Sequence, residues 1–168
     1  MIRIAVTGPE SSGKTSLCQA LANHYKIAFI PEYARTYLEH TNGVYNQKDL
    51  DKIAQGQFES VITASGEIII SDTDFVVMEI WSTYKYQNAS EYITELVKKD
   101  LFDLHILCAP DIPWEPDPLR ENPNDREELF ERYKSALEGH QKEFIIVQGN
   151  PKNRLIKSLE KIGQIQNK

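Results

Sequence analysis

Residues 8–15 read GPESSGKT, and this stretch decides the fold of the chain. It meets the pattern GxxxxGK[ST] in full, with a short apolar segment before it at residues 2–6. Apolar residues recur at helical spacing after it, over residues 14–25. Glycine near both ends of the loop lets the backbone wrap closely around phosphate groups, so that successive N–H groups point inward. Strand, loop and helix together predict a phosphate-binding P-loop.

Each position in this loop has an expected role in binding ATP or a close relative of it. Lys14 is expected to reach the β- and γ-phosphates, and the hydroxyl of Thr15 to ligate Mg²⁺. The helix that begins near Lys14 adds the positive end of its dipole. The predicted nucleotide-binding residues of the loop are Gly8, Glu10, Ser11, Ser12, Gly13, Lys14, Thr15 and Ser16.

Glu10 is an unusual residue in such a loop, because phosphate groups repel a carboxylate. We therefore expect its side chain to point outward, where it either pairs with a basic residue or faces the acceptor substrate. A solvated loop residue is an equally good interpretation, since exposure to water is the usual state of glutamate.

Composition excludes several classes of protein. The chain of 168 residues suits one domain, predicted over residues 1–168. A net charge of -6 without a basic stripe argues against a nucleic-acid partner. The longest apolar run is far shorter than the roughly 18 residues that span a bilayer, so we expect no membrane partner and a cytoplasmic location. Cys18 and Cys108 are expected to be buried free thiols, and His105 a hydrogen-bonded core residue. Homo-oligomerisation is left open.

Five short apolar runs alternate with helical patterns along the chain. The predicted strands cover residues 2–6, 27–30, 68–70, 104–108 and 144–147. The predicted helices cover approximately residues 14–25, 34–39, 47–63, 75–86, 90–99, 125–137 and 151–165. Short apolar strands separated by helices indicate a parallel sheet with helices on both faces. The predicted fold is therefore an α/β P-loop NTPase with a five-stranded parallel sheet.

Acidic residues follow two of the predicted strands, at the sheet edge where α/β proteins bind ligands. Asp72 is the candidate for holding Mg²⁺, directly or through water. Asp74 lies two residues on, so it shares a face with Asp72 and is a candidate for a substrate hydroxyl. The alternative for Asp74 is the N-cap of the helix that begins near Phe75.

The segment PEYAR, residues 31–35, ends the predicted second strand at the same edge. Glu32 is a candidate to accept a proton or a hydrogen bond from the hydroxyl that is phosphorylated. Arg35 either holds an anion or pairs with Glu32, and a purely structural ion pair is an equally good interpretation. Tyr33 is included with them among the predicted substrate-binding residues.

A proline-rich segment is predicted to form a flexible lid over the site, at approximately residues 109–126. Trp114 lies there among acidic residues and offers a flat face for a base or a cationic ring. Asp117 is included with Trp114 among the predicted substrate-binding residues. Its alternative role is a hydrophobic anchor that packs the lid onto the domain. Arg120 and Arg126 are candidates to offset charge on the transferring phosphoryl group, and Arg126 alternatively forms a surface ion pair.

Four segments in order, GPESSGKTSL, PEYAR, SDTDF and WEPDPLR, resemble the ribosylnicotinamide kinase domain of the NadR family. The resemblance implies a nucleoside-kinase-like fold in which ATP phosphorylates the 5′-hydroxyl of nicotinamide riboside to give nicotinamide mononucleotide. This kinase usually forms the C-terminal part of a longer protein that carries an adenylyltransferase. A chain of 168 residues has no room for that second enzyme, so a stand-alone kinase is expected.

The resemblance also implies roles for individual residues. Trp114 would stack on the positively charged nicotinamide ring, and Asp72 and Asp74 would divide metal and ribose duties. Glu32 would be the base or a ribose ligand. The adenine contacts would come from Asn153 and Arg154.

Two rival functions remain open at this stage. Another nucleoside or a small hydroxylated metabolite is one alternative acceptor for the same chemistry. The other is a nucleotide-gated ATPase or binding module without a nucleoside acceptor. A GTPase switch is disfavoured, because the sequence contains no Asn/Thr-Lys-x-Asp segment for reading guanine.

Overall fold

A computed structural model describes residues 1–99 and 101–167 of the chain. The strands are β1 (Ile2–Thr7), β2 (Ile68–Asp72), β3 (Leu104–Cys108) and β4 (Phe144–Val147). The helices are α1 (Lys14–Tyr25), α2 (Tyr33–His40), α3 (Gln47–Thr63), α4 (Phe75–Tyr86), α5 (Glu91–Lys98), α6 (Arg126–Gly139) and α7 (Pro151–Gln166). Every strand pairs in parallel, in the order β2-β1-β3-β4. The α/β class and the parallel sheet are therefore confirmed.

The prediction of a fifth strand at residues 27–30 is wrong. Among the described residues the sheet has four strands, and this segment joins it through the single bridge between Ile30 and Ser71. The N–H of Ile30 donates to the carbonyl of Ile70, and the N–H of Asp72 donates to the carbonyl of Ile30, both at 2.8 Å. Pro31 follows directly and has no N–H group to donate, so the ladder cannot extend along this segment.

Both faces of the sheet are covered by helices, as predicted. Side chains that alternate along β1 pack on opposite faces: Ile4 and Val6 face α1 and α7, and Ala5 faces the other helices. The first face is completed by residues such as Leu17 of α1 and Ile162 of α7. The opposite face packs against buried residues of α3 to α6, including Leu50, Met78, Leu96 and Leu137.

Local capping explains why several helix starts were predictable. Asn150 accepts a hydrogen bond from the N–H of Asn153, and Pro151 occupies the first turn of α7. Asn46 and Asp49 form a reciprocal capping box at the start of α3. Helices α3 and α4 have the predicted bounds, and the segment between β3 and α6 contains neither helix nor strand, as its prolines indicated.

Two smaller expectations are also confirmed. Cys18 and Cys108 are free and buried, and burial raises the pKa of the Cys108 thiol to about 12. His105 is buried within β3, and its Nδ1 lies 2.8 Å from Oδ2 of Asp74. Within the part of the chain that the structure describes, no helix is both long enough and apolar enough to cross a membrane.

Candidate functional site

A cavity of about 250 Å³ lies over the P-loop. Its walls come from the P-loop, from helices α2, α4 and α6, and from the lid, which we define as residues 109–126. The walls outside the P-loop contain Glu32, Ala34, Arg35, Leu38, Tyr45, Val77, Ile80, Trp81, Tyr84, Ile112, Glu115, Asp117, Leu119, Arg120, Glu121, Asn122, Leu129 and Tyr133. The cavity thus joins the predicted phosphate site to a second compartment lined by aromatic and acidic side chains.

The two glycines of the P-loop are required by its backbone. Gly8 has φ 135°, and a Cβ at this position would lie 2.7 Å from the carbonyl oxygen of Cys108. Gly13 has φ 84° and directly precedes α1. Nζ of Lys14 donates to the carbonyls of Gly8 and Pro9, both at 3.0 Å, so the amine already spans the loop. The expected geometry of a phosphate cradle at the N-terminus of a helix is present.

Thr15, at the start of α1, lies next to Asp72, at the end of β2. The hydroxyl of Thr15 donates to Oδ2 of Asp72 at 2.5 Å. Oδ1 of Asp72 is buried, and among residues 1–99 and 101–167 it has no hydrogen-bond partner. Burial raises the pKa of Asp72, opposed by Lys14 and by the Thr15 hydrogen bond. A hydroxyl beside a carboxylate with a spare oxygen is a donor set that suits Mg²⁺.

Glu32 occupies the N-cap of α2 and lines the cavity. Burial raises the pKa of this carboxyl, and the nearby ammonium of Lys14 opposes the shift. Raised basicity in a partly enclosed cavity suits a group that accepts a proton. Arg35 lines the same wall, but its guanidinium pairs with Asp117 of the lid rather than with Glu32.

Asp74 takes the N-cap role that was its alternative. Its Oδ1 accepts from the N–H of Val77 at 2.9 Å, and its Oδ2 bonds to His105. The side chain is fully buried, so both oxygens are already occupied inside the protein. The substrate contact of Asp74 stays a prediction, and the geometry gives it no support.

The predicted arginines of the lid both contact the P-loop. Nη1 of Arg120 lies 3.4 Å from Oγ of Ser11, and it also donates to the carbonyl of Glu115. Nη1 of Arg126 donates to the carbonyls of Ser11 at 3.2 Å and Ile112 at 2.9 Å. Their guanidinium carbons each lie 5.8 Å from the ring centre of Trp114. Trp114 therefore packs against the two arginines.

The predicted site residues divide into two groups. All eight predicted residues of the P-loop line the cavity, together with Glu32, Arg35, Asp117 and Arg120. The lining found among the described residues does not include Tyr33, Asp72, Asp74, Trp114, Arg126, Asn153 or Arg154. Asp72 reaches the site through Thr15, and the ligand contacts of the other six stay predictions.

Arg154 acts as a brace beneath the P-loop in this structure. Its guanidinium donates to the carbonyls of Ser12 at 2.6 Å and Ala109 at 3.0 Å, and it pairs with Asp111. The side chain is only 4% exposed. Its contacts hold together the P-loop and the first residues of the lid, Ala109 to Asp111, which we call the lid base. Asn153 is exposed, and its N–H completes the cap of α7.

One wall of the cavity that was not predicted from the sequence is aromatic and is formed by Tyr45, Trp81, Tyr84 and Tyr133. Tyr45 and Trp81 meet edge to face with ring centres 5.0 Å apart, and Nε1 of Trp81 donates to the Tyr45 hydroxyl at 2.9 Å. One signal was available. Val77, Trp81 and Tyr84 are spaced i, i+4, i+7 along α4, which places them on one helical face.

The same chain resembles known proteins over most of its length. The trifunctional NAD biosynthesis/regulator protein NadR of Escherichia coli (strain K12) is 32% identical over 155 residues, covering 86% of this chain and 38% of that protein. The chain spans about a third of the length of the curated relatives it matches. The resemblance read from the four sequence segments is thereby confirmed.

Solved structures share the fold. The crystal structure of NadR protein in complex with NR has a TM-score of 0.70 at 20% identity, covering 97% of this chain and 51% of that chain. Deoxyadenosine kinase from M. mycoides, with dCMP and dCDP bound, has a TM-score of 0.62 at 14% identity, covering 97% and 100%. The fold is thus that of the α/β P-loop kinases. Residues 3–154 match the AAA domain family AAA_28, and the chain belongs to this family.

Proposed function

We propose that this protein is an ATP-dependent kinase that phosphorylates the 5′-hydroxyl of nicotinamide riboside. One observation carries the proposal: a single cavity contains a P-loop with its lysine, a carboxylate of raised pKa and an aromatic wall. The first binds a phosphate donor, the second accepts a proton, and the third holds a flat ring. This combination suits phosphoryl transfer to a nucleoside better than nucleotide binding alone.

The aromatic wall of the second compartment supports a cationic ring as the acceptor's base, because aromatic faces attract cations. Glu32 adds a carboxylate there, whereas Asp117 and Glu121 pair with Arg35 and Lys85. The relative NadR carries a name in NAD biosynthesis, and the solved NadR structure contains NR. We therefore place the nicotinamide ring against Trp81, Tyr84 and Tyr45.

Phosphoryl transfer in this cavity balances as follows. The 5′-oxygen of the nucleoside forms a bond to the γ-phosphorus of ATP, and the bond from that phosphorus to the β,γ-bridging oxygen breaks to release ADP. Glu32 accepts the proton of the 5′-hydroxyl. Lys14 and Arg120 offset the charge that develops on the transferring group.

The metal has a defined place in the proposal. Thr15 and Asp72 would hold Mg²⁺, whose chemistry is to neutralise charge on the donor phosphates. The uncommitted Oδ1 of Asp72 is the observation that supports this assignment. If the Thr15 hydroxyl were to ligate Mg²⁺, its hydrogen bond to Oδ2 of Asp72 would be lost, and this second carboxylate oxygen would also be available.

ADP release with a panel of nucleosides tests the proposal. Nicotinamide riboside is expected to stimulate ADP formation most strongly, with uncharged nucleosides of similar size far behind it. A panel in which another nucleoside is the best substrate would overturn the assignment of the acceptor and leave the kinase in place. ATP turnover that no nucleoside stimulates would overturn the kinase assignment itself.

A further inference from the structure

Glu10 belongs to the P-loop, but its carboxylate is directed to the far end of the lid. Oε1 and Oε2 each lie 3.1 Å from the backbone nitrogen of Glu121, which donates to them. Oε2 also accepts from the N–H of Asn122 at 2.8 Å. A single carboxylate of the P-loop therefore binds two successive backbone N–H groups that lie more than a hundred residues further along the chain.

These contacts resolve the electrostatic problem that Glu10 poses. A carboxylate pointing into the loop would repel bound phosphates, whereas backbone N–H donors outside the loop stabilise its negative charge. Hydrogen bonds to an ionised acceptor are also stronger than those between neutral groups. We propose that Glu10 is a positioning residue, which latches the lid turn at residues 121–122 to the P-loop.

The latched turn lies between both halves of the cavity. Arg120 directly precedes it, lines the cavity and reaches Oγ of Ser11. The side chain of Glu121 accepts from the hydroxyl of Tyr45 at 2.8 Å and from Nζ of Lys85 at 3.1 Å. Holding this turn therefore fixes the position of Arg120 over the P-loop and closes the lid against the aromatic wall.

The other bonds between lid and P-loop use a different residue. Ser11 accepts from the N–H of Glu115 at 2.9 Å and, through its carbonyl, from Arg126 at 3.2 Å. Those contacts hold the first half of the lid and its junction with α6, and Nη1 of Arg120 adds a longer contact of 3.4 Å to Oγ of Ser11. Glu10 is the P-loop contact of residues 121–122, so its loss is expected to release that turn and leave the lid base in place.

Amide hydrogen exchange in the ligand-free protein tests the latch directly. In Glu10→Ala, the amides of Glu121 and Asn122 are expected to exchange about 10-fold faster than in the wild type, because their acceptor is gone. Glu10→Gln keeps one oxygen acceptor and is expected to fall between the two. Glu131→Ala removes an exposed carboxylate of α6 and serves as the matched control.

Protection of β3 amides in the same spectra reports whether each variant is folded. Unchanged exchange at Glu121 and Asn122 in folded Glu10→Ala would overturn the proposal. So would wild-type amides that exchange as fast as those of an unfolded chain.

Kinetics supply the second measurement, and this part rests on the proposed function. In Glu10→Ala, kcat with nicotinamide riboside is expected to fall about 10-fold, with partial recovery in Glu10→Gln, because Arg120 is no longer held over the loop. ATP hydrolysis without acceptor is expected to rise relative to transfer, since an open lid admits water. A kcat equal to that of the wild type would overturn the positioning role. A wild type without nucleoside-stimulated turnover would overturn the proposed function, and the exchange rates would still decide the latch.

Discussion

The P-loop and the lid meet at the same cavity, but they are held in different ways. The P-loop is fixed by its own backbone, with glycines at positive φ, and is braced from below by Arg154. The lid contains neither helix nor strand before α6, and polar side chains from the P-loop, α2 and α4 hold it. The P-loop side of the cavity is thus preformed, whereas the lid side depends on contacts that can open.

Removing the lysine of the P-loop should have the largest effect. Lys14→Met is expected to lower kcat/KM by about 10³-fold or more, since it removes from the cavity the charge that we propose acts on the transferring phosphates. Initial rates of ADP formation with nicotinamide riboside check this. Lys157→Met on the exposed face of α7 is the control and should keep the wild-type rate. A Lys14→Met variant with nearly normal turnover would place the donor elsewhere.

The carboxylate between the two halves comes next. Glu32→Gln is expected to lower kcat about 10²-fold, and the wild-type rate should fall on acidification at a higher pH than for an ordinary glutamate, because burial raises the pKa of Glu32. The acidic limb of the pH profile of kcat/KM, which reports the free enzyme, is the measurement. Retention of that limb in Glu32→Gln would assign the base to another group.

The same substitution should affect stability with the opposite sign. A raised pKa means that the folded state binds the proton of Glu32 more tightly than the unfolded chain does. The resulting stabilisation is present below the ordinary pKa of 4.5 and is lost as the pH rises through the higher folded value. Glu32→Gln should therefore unfold at a higher urea concentration than the wild type at pH 7, and the gap should close in acid.

Two tryptophans sharpen the comparison between the wall and the lid. Trp81→Ala should raise the KM for nicotinamide riboside about 10- to 100-fold, because Trp81 lines the cavity. Trp114→Ala should lower kcat more than it raises KM, because Trp114 packs against Arg120 and Arg126. Steady-state kinetics of the pair distinguish these roles. A large rise in KM confined to Trp114→Ala would restore Trp114 as the stacking residue.

A pair of glycines tests how far the backbone fixes the P-loop. Gly8→Ala should destabilise the protein by roughly 1–3 kcal/mol, because its positive φ and the Cys108 carbonyl leave no room for a methyl group. Gly163→Ala on α7, where the added Cβ meets open space, should stabilise it by about 0.5–1 kcal/mol. Urea unfolding measures both. Equal effects of the two substitutions would contradict the steric argument.

The features that could be predicted from the sequence belong mainly to the P-loop, and those that could not belong mainly to the lid. The P-loop, the starts of α3 and α7 and the Mg²⁺ candidates Thr15 and Asp72 depend on local patterns. The structure brings Thr15 and Asp72 together. The partners of the lid do not follow from local patterns, because Glu10 and Glu121 are separated by 111 residues. The prediction of a fifth strand was wrong because a strand also needs a neighbour that pairs with it. Among the described residues, Ile30 is the one position of segment 27–30 that bridges to β2.

The aromatic wall was missed for a related reason. The spacing of Val77, Trp81 and Tyr84 marks one face of α4, but a sequence does not say whether such a face meets the core or a cavity. Asp74 shows the reverse case. Its position after β2 is typical of a ligand-binding residue. Its buried partner His105 lies on another strand, so the sequence did not predict this contact.

Identification of the product tests the central claim most directly. Wild-type protein with ATP, Mg²⁺ and nicotinamide riboside should give ADP and nicotinamide mononucleotide in equal amounts, as measured by mass spectrometry and ³¹P NMR. ADP formation should stop when nicotinamide riboside is exhausted. ADP that accumulates without any phosphorylated nucleoside would contradict the account, because the aromatic half of the cavity would then have no acceptor to hold.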